Sequence, residues 1–313
     1  MSAAAPRPGK LQVAAALAAL YVIWGSTYLA MRFAVQGFSP FRMAGIRFTL
    51  AGGALFSYLL VRRTPMPTLR QARNALGAGV LMLVLGNGLV AVAEQWVASS
   101  IAAVMIASMP LFAALFAGFF GVWPTRRESV GLLLGSVGVV LLNLDGGLRA
   151  NPLGALMLLL APAAWALGSV VSSKVDLPKG LMTSALQMLL CGVFMLALSF
   201  ILPTAPGVHP DLKSTLALGY LVVFGSLVAF TAYGFLLRNV RPALATSYAF
   251  VNPGVAVLLG VGLAHETLTA KAYLGMGFII AAVVMTALFR AGPTPLRAAP
   301  PDVLRGPAPR ARG

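Results

Sequence analysis

Apolar blocks divide this chain into two groups of five, and the second group repeats the first about 142 residues later. Trp24 corresponds to Trp165, and Pro110 corresponds to Pro253. An odd number of membrane crossings in each group would place the two copies in opposite orientations. Inverted repeats are typical of transporters, because one fold can then open to either side of the membrane in turn. The pattern therefore favours movement of a solute over chemistry performed on one.

The composition indicates a membrane protein, because 59% of the residues are hydrophobic and only 10% are charged. Soluble domains usually carry about a quarter charged residues. Most of the apolar blocks approach the roughly 20 residues that a helix needs to cross the hydrocarbon layer. We therefore predict an all-α integral membrane fold with ten transmembrane helices as two inverted five-helix repeats, 11–144 and 152–289, and a disordered cytoplasmic tail, 290–313. The blocks are 11–31, 41–61, 74–93, 98–124, 129–144, 151–173, 180–208, 214–237, 242–264 and 272–289.

The net charge of +16 is unevenly distributed along the predicted topology. With the N-terminus in the cytoplasm, 17 of the 23 basic residues lie on the cytoplasmic side. This asymmetry follows the positive-inside rule and predicts that both termini are cytoplasmic. Basic residues interleaved with aromatic ones, which would indicate a nucleic-acid partner, do not occur. The outer side receives Arg32, Arg42, Arg47, Arg149, Lys213 and Lys271.

Short motifs in a fixed order carry a resemblance to a known family. The chain resembles EamA-type members of the drug/metabolite transporter superfamily, and within them the YedA-like subgroup. The resemblance implies ten helices in a bacterial inner membrane, cytoplasmic termini and export of amino acids or other small metabolites. One departure is that the fourth helix ends in Trp123-Pro124 where the family has a glutamate, which only the second repeat keeps, as Glu266. The motifs are 21–28 (YVIWGSTY), 45–48 (GIRF), 86–88 (GNG), 93–95 (AEQ), 102–111 (AAVMIASMPL), 165–169 (WALGS), 238–248 (RNVRPALATSY), 252–253 (NP) and 263–268 (LAHETL).

Polar and aromatic residues recur at helical spacing inside several apolar blocks. Polar side chains within a membrane usually face the bundle interior or a wet cavity. Tryptophan and tyrosine can instead anchor helix ends at the membrane surface, but Trp24 and Trp165 lie in the middle of their blocks. Rings with polar tips suit a small amphipathic solute. The predicted substrate-binding residues are Trp24, Tyr28, Asn87, Trp165, Ser169, Tyr233, Tyr248 and Asn252.

Two prolines occupy equivalent positions in the predicted fourth and ninth helices. Pro110 and Pro253 would each remove a backbone hydrogen bond and kink their helix. In transporters such breaks free carbonyl groups for the solute and supply a flexing point. We predict a hinge role for both prolines, and a static kink used only for packing is the alternative.

Few charged groups lie within the predicted membrane region. Arg47 in the second block and Glu94 at the end of the third are expected on the same side, where they could form an ion pair at a gate. The alternative for Glu94 is proton coupling, which usually requires an intramembrane carboxylate or histidine. Glu266 is expected to cap the loop after the ninth helix.

These observations together predict an exporter of small metabolites that works by alternating access. Amino acids, aromatic metabolites and amphipathic drugs fit better than phosphorylated solutes, because the blocks contain no cluster of basic residues. A channel or a lipid scramblase or flippase is the alternative. The two histidines, His209 and His265, lie in separate loops and no metal-binding motif occurs, so we expect neither an enzyme nor a cofactor or metal site. Membrane lipid and the solute are the expected partners, and the chain is expected to be a monomer or a homodimer.

Overall fold

A computed structural model describes residues 9–119, 126–143, 151–202, 209–239 and 248–288. The described part of the chain is helical throughout and contains no β-strand. The predicted tail, 290–313, lies outside the described residues.

The first half of the chain begins with two long helices joined by a short turn. Pro40 opens the second of them, a position where the missing proline N–H needs no partner. Thr68 caps the third helix, because its side chain accepts a hydrogen bond from the Gln71 N–H at 3.2 Å. The helices are α1 (Lys10–Gly37), α2 (Pro40–Val61), α3 (Leu69–Gly79, continued by Val80–Asn87 and Gly88–Ala93), α4 (Ser99–Ile106), α5 (Met109–Phe119) and α6 (Arg126–Asn143).

The second half has a similar order of helices. Asn151 caps its first helix by accepting the Gly154 N–H at 2.7 Å, and Asp211 accepts the Ser214 N–H at the same distance at the start of another. The helices are α7 (Pro152–Ser172), α8 (Leu181–Ile201), α9 (Leu212–Tyr220, continued by Leu221–Val228 and Ala229–Asn239), α10 (Tyr248–Ala264) and α11 (Ala270–Leu288).

Six helices in the described residues are long and apolar enough to cross a membrane. Large apolar side chains on their outer faces are exposed, for example Val61 and Phe200, as expected where lipid is the solvent. The all-helical membrane class is therefore confirmed, whereas the arrangement of ten helices in two inverted repeats stays a prediction. In the fourth block, α4 ends before Ala107 and α5 begins at Met109. The six spans are Lys10–Gly37, Pro40–Val61, Leu69–Ala93, Pro152–Ser172, Leu181–Ile201 and Leu212–Tyr233.

Two of these spans contain a π-helical segment that was not predicted from the sequence. Val80–Asn87 lies within α3 and Leu221–Val228 lies within α9. The two segments have equal length, and both ends of the second follow those of the first by 141 residues. A π segment widens the helix and leaves carbonyl groups less tightly bonded, which is why such segments are frequent at functional sites.

The helices pack in a small number of extensive pairs. The pairs are α2 with α8, α6 with α11, α1 with both α9 and α10, and α7 with both α3 and α5. Backbones approach most closely between α2 and α8. A Cβ on Gly52 would lie 2.3 Å from the Leu189 nitrogen, and one on Gly192 would lie 2.4 Å from the Thr49 nitrogen. Only glycine allows this approach, as is common where membrane helices pair.

Candidate functional site

A cavity of about 90 Å³ lies between helices from both halves of the chain. Side chains of α1, α2 and α3 line one part of it, and side chains of α7, α9 and α10 line another. Its surface combines aromatic rings with one guanidinium group and two amides, which suits a small solute that has an apolar body and a polar end. The lining residues are Trp24, Thr27, Tyr28, Met31, Arg47, Phe48, Gly86, Asn87, Val90, Ala103, Ile106, Ala107, Met109, Trp165, Phe230, Tyr248, Asn252 and Pro253.

Trp24 is fixed at the cavity wall by a hydrogen bond and by three aromatic neighbours. Its indole Nε1–H donates to the carbonyl oxygen of Gly225 at 3.2 Å, within the π segment of α9. The ring centroid lies 5.5 Å from Phe230, 5.4 Å from Tyr233 and 4.7 Å from Tyr248, within the range of favourable ring contacts. The side chain therefore presents a rigid apolar surface to the cavity.

Trp165 contributes a second indole ring from α7. A Cβ on Gly86 would lie 2.9 Å from Cε3 of this ring, so the glycine allows the ring to lie against the π segment of α3. Ser169, one turn later on the same helix, donates its hydroxyl to the Trp165 carbonyl at 2.9 Å and does not line the cavity. Tyr233 also lies outside the cavity lining and supports Trp24 and Tyr248 from behind.

The two predicted asparagines lie at the cavity in different environments. When the Asn252 amide is oriented to satisfy both of its ends, its nitrogen donates to the carbonyls of Tyr21 at 3.3 Å and Tyr248 at 3.1 Å. The bond to Tyr21 joins α1 to α10. The Oδ1 atom of Asn87 is buried and has no hydrogen-bond partner. This oxygen therefore remains available as a hydrogen-bond acceptor.

Arg47 is the charged group of the cavity, and only 3% of the residue is exposed. Its Nε–H donates to Ser226 Oγ at 2.9 Å, and one Nη2–H donates to the Gly225 carbonyl at 3.3 Å. A weaker contact joins Nη1 to Met31 Sδ at 3.6 Å. The π segment of α9 thus holds the guanidinium group in place.

Arg47 and Glu94, which were predicted to form an ion pair, are joined by no ion pair or hydrogen bond in this structure, although each charge acts on the other. Glu94 is 3% exposed and both of its carboxylate oxygens lack a hydrogen-bond partner, while Arg47 bonds to α9 instead. The prediction paired the two residues because both were expected on the same side of the bundle. The structure instead bonds Arg47 to α9, and Glu94 does not line the cavity.

The ion pair in the described part of the chain is instead Arg32 with Glu266. We name Arg32, Ser99, Ser100 and Glu266 the Glu266 cluster. Oε1 of Glu266 accepts the Ser99 N–H at 2.9 Å and the Ser99 hydroxyl at 2.7 Å, in addition to the Arg32 guanidinium. Oε2 accepts the Ser100 N–H at 3.2 Å and the Ser100 hydroxyl at 2.5 Å. Glu266 therefore joins the loop after α10 to α1 and to the first turn of α4.

The Glu266 cluster stabilises the ionised carboxylate. Burial of Glu266 raises the pKa of its carboxyl, but the hydrogen bonds from Ser100 and Ser99 outweigh burial and leave the pKa below its usual value. Space for the carboxylate depends on Gly260, where a Cβ would lie 2.4 Å from Oε2. Glu266 was predicted to cap the loop after the ninth helix, and in the structure it also bonds to two other helices.

The two prolines differ in their positions. Pro253 lies inside α10 and lines the cavity. Pro110 is the second residue of α5, directly after the interruption at Ala107 and Ser108. A proline in a first turn costs no hydrogen bond, so the helix break here precedes Pro110. The hinge role of both residues stays a prediction.

Several lining residues were not predicted from the sequence. Thr27, Met31 and Phe48 are ordinary residues of apolar helices, and their spacing from Trp24 or Arg47 is the only sequence signal that could have identified them. For Phe230 the corresponding signal is its position one turn after Ser226 on α9. Gly86 lies in the motif that carried the family resemblance, and its role is to give Trp165 room.

Comparison with known proteins identifies the family. The model of the EamA-like transporter family matches residues 12–144 and 152–288. The inner membrane transporter YedA of Escherichia coli (strain K12) is 48% identical over 274 residues, which cover 87% of this chain and 90% of that protein. The transporter YvbV of Bacillus subtilis (strain 168) is 26% identical over 292 residues, 88% of this chain and 92% of that one.

A solved crystal structure supports the fold. Its chain is 21% identical, the match covers 89% of this chain and 96% of that one, and the TM-score is 0.62. Both residue ranges that match the family contribute to the cavity lining, and the relatives align with this chain over most of their length. This chain is therefore a YedA-like member of the EamA-like transporter family.

Proposed function

We propose that this inner-membrane transporter exports small metabolites by alternating access, with ten helices arranged as two inverted five-helix repeats. The observation that carries the proposal is the cavity, which α1, α2 and α3 of the first half share with α7, α9 and α10 of the second. A site at the interface of two repeats can open to one side when the repeats rock against each other.

The equivalence of the two halves supports the repeat arrangement. The π segments are separated by 141 residues at both ends, in α3 and α9. The packing pairs are also related: α1 with α9 corresponds to α7 with α3, and α1 with α10 corresponds to α7 with the fourth block. The remaining pairs, α2 with α8 and α6 with α11, each join a helix to its own counterpart. A two-fold relation between the halves produces this pattern.

Contacts between connecting segments support the proposed orientation. Gln71 and Asn74, in the first two turns of α3, bond to Asp176, and both this end of α3 and the segment of Asp176 are proposed to lie at the cytoplasmic side. The Glu266 cluster joins segments proposed to face outward. We expect reporter fusions after Lys174 and after His209 to locate on the cytoplasmic and outer sides, respectively. Fusions that locate both positions on one side would contradict the ten-helix topology.

The cavity volume bears on the size of the solute. Pockets for drug-sized ligands usually enclose about 300–1,000 Å³, and a dry cavity of about 150 Å³ holds one benzene molecule. At about 90 Å³, this conformation fits a solute of amino-acid size better than an aromatic metabolite or a drug. Larger solutes would require the cavity to expand as the repeats move.

Two experiments in sequence test the proposed function. Extracellular metabolites of cells with and without overexpression are first compared without preselection, and the solute that accumulates outside is identified. The purified protein in vesicles is then given this solute, and counterflow of labelled solute is measured. Saturable flux that unlabelled solute on the opposite side accelerates supports a carrier. Flux that does not saturate would indicate a channel, and transfer of labelled lipid between leaflets would indicate a scramblase or flippase.

A further inference from the structure

We propose that the cavity takes a small organic anion, whose carboxylate binds the guanidinium group of Arg47. This inference rests on the proposed function and adds the chemical class of the solute. Arg47 is nearly completely buried, and in the described part of the chain no carboxylate lies within ion-pair distance of it. Glu94 is also buried, and its charge attracts Arg47 only from beyond that distance. A buried cation without a carboxylate in direct contact is costly, so a site that keeps one favours an anionic ligand.

The donors of Arg47 are only partly used. The guanidinium group has five N–H donors, and the structure gives partners to three: Ser226 Oγ, the Gly225 carbonyl and, weakly, Met31 Sδ. The three bonds use one donor on each nitrogen, so each terminal nitrogen retains one N–H. Two N–H groups in the plane of one fork match the two oxygens of a carboxylate.

Neighbouring residues hold Arg47 ready for this role. The bonds to Ser226 and Gly225 of α9 fix the Nε and Nη2 atoms of Arg47. The centroid of the Phe48 ring lies 4.8 Å from the guanidinium carbon. Gly225 leaves room beside the group, because a Cβ there would lie 3.3 Å from Nη2. A guanidinium group fixed before the solute arrives loses little rotamer freedom on binding.

The rest of the cavity wall offers a cationic solute aromatic rings but no counter-ion. None of the lining residues in the described part of the chain is an aspartate or a glutamate. Glu94 is buried but belongs to no part of this lining. An ammonium group would therefore meet amides and rings but no carboxylate, while it would repel Arg47. The solute is accordingly a net anion with a short apolar body that lies against Trp24 and Trp165.

Three solutes of nearly equal size test this inference at pH 7. Propionate carries the carboxylate, propionamide replaces it by an uncharged group of the same shape, and alanine adds an ammonium group to propionate. Binding to the detergent-purified protein is measured by titration of its tryptophan fluorescence. We expect propionate to bind at least tenfold more tightly than propionamide, and more tightly than alanine. Equal binding of propionate and propionamide, or tighter binding of alanine, would overturn the inference.

Variants on the same helix assign the preference to Arg47. Arg47→Gln should reduce the ratio of propionate to propionamide affinity to about one, and Arg47→Lys should keep a smaller preference because it retains the charge. Arg42→Gln, which removes the same charge from an exposed position of α2, should leave the ratio unchanged. If Arg47→Gln does not fold, the lysine variant and the wild-type ratio still decide, since a purely structural Arg47 predicts no preference in either protein.

The binding ratio and the counterflow experiment can fail separately. Counterflow of an uncharged or cationic solute, together with an absent carboxylate preference, would overturn the anion site and leave the proposed export function intact. A clear carboxylate preference without any counterflow would support the site and contradict the carrier.

Discussion

Two buried glutamates allow one substitution to be compared in opposite environments. Glu266 is 7% exposed and accepts hydrogen bonds from both serines of the Glu266 cluster as well as from Arg32. Glu94 is 3% exposed and its two oxygens have no hydrogen-bond partner. Glu266→Gln and Glu94→Gln each replace a carboxyl by an amide of almost the same shape. The difference between the two variants therefore reports the surroundings of each carboxyl.

Glu266→Gln should lower stability strongly. If the remaining oxygen stays on Arg32 and Ser99, the new NH₂ group faces the Ser100 N–H, and that donor loses its partner. An unsatisfied buried donor costs about 1–3 kcal/mol, and breaking a buried ion pair costs about 3–5 kcal/mol. Arg32 is 32% exposed, so water compensates part of its loss. We expect a net loss of about 3 kcal/mol.

Glu94→Gln should leave stability unchanged or raise it, because no hydrogen bond is lost and a buried carboxyl is replaced by a neutral amide. Thermal unfolding in detergent measures both variants. At roughly 2–4 °C per kcal/mol, the Glu266 variant should unfold about 6–12 °C below the wild type, and the Glu94 variant at or above it. Equal losses in the two variants would refute the argument that hydrogen bonding decides the contribution of each carboxyl.

Glu94→Gln also tests proton coupling, because flux in vesicles can be measured with and without an imposed pH gradient. We expect the same dependence on the gradient as in the wild type. A dependence that disappears in this variant, while solute exchange continues, would identify Glu94 as the coupling residue.

Three further predictions use features of the packing and of the site. Gly52→Ala should destabilise the protein severely, because its Cβ would lie 2.3 Å from a backbone nitrogen of α8. At Gly53 the atom nearest to an added Cβ is 3.9 Å away, so Gly53→Ala should be neutral or stabilising by up to about 1 kcal/mol. Urea unfolding of the two variants measures the difference in stability. Trp24→Ala and Trp165→Ala should impair export more than the yield of folded protein, and loss of both proteins from the membrane would contradict a role at the cavity. The pKa of the Glu266 carboxyl is lower in the folded state than in the unfolded state. Its contribution to folding stability is therefore complete above the unfolded-state pKa of about 4.3 and is lost as pH falls through the folded-state pKa. The unfolding temperatures of wild type and Glu266→Gln should accordingly converge below about pH 4.

The sequence predicted the helices better than it predicted the partners of their charged groups. Hydropathy located the long helices, because the membrane requires about 20 apolar residues per crossing. Six of the eight predicted substrate-binding residues line the cavity, since polar residues in apolar helices turn inward. Ser169 and Tyr233 lie behind that layer.

The pairing of charges depends on contacts between residues far apart in the chain. Arg47 and Glu94 were matched by their depth along neighbouring helices, and depth does not specify rotation about the helix axis. Arg32 and Glu266 are separated by 234 positions, and no local pattern relates them. The π segments have no reliable sequence signature. The rotation that they impose on the following part of each helix could therefore not be predicted from the sequence.

The π segment of α3 also determines how the helix would respond to a change in its length. A turn closed by i→i+5 bonds holds about one residue more than an α turn, and one residue corresponds to about 100° of rotation. Deleting a single residue from Val80–Asn87 can therefore be absorbed by a return to α-helical bonding. The second half of α3 would then keep its direction relative to α7. A regular helix such as α2 has no π turn that could return to α-helical bonding. The same deletion there would rotate all residues of the helix beyond the deleted position by about 100°. Among the described helices, the wide turns thus make α3 and α9 the ones in which a single-residue deletion can be accommodated during evolution.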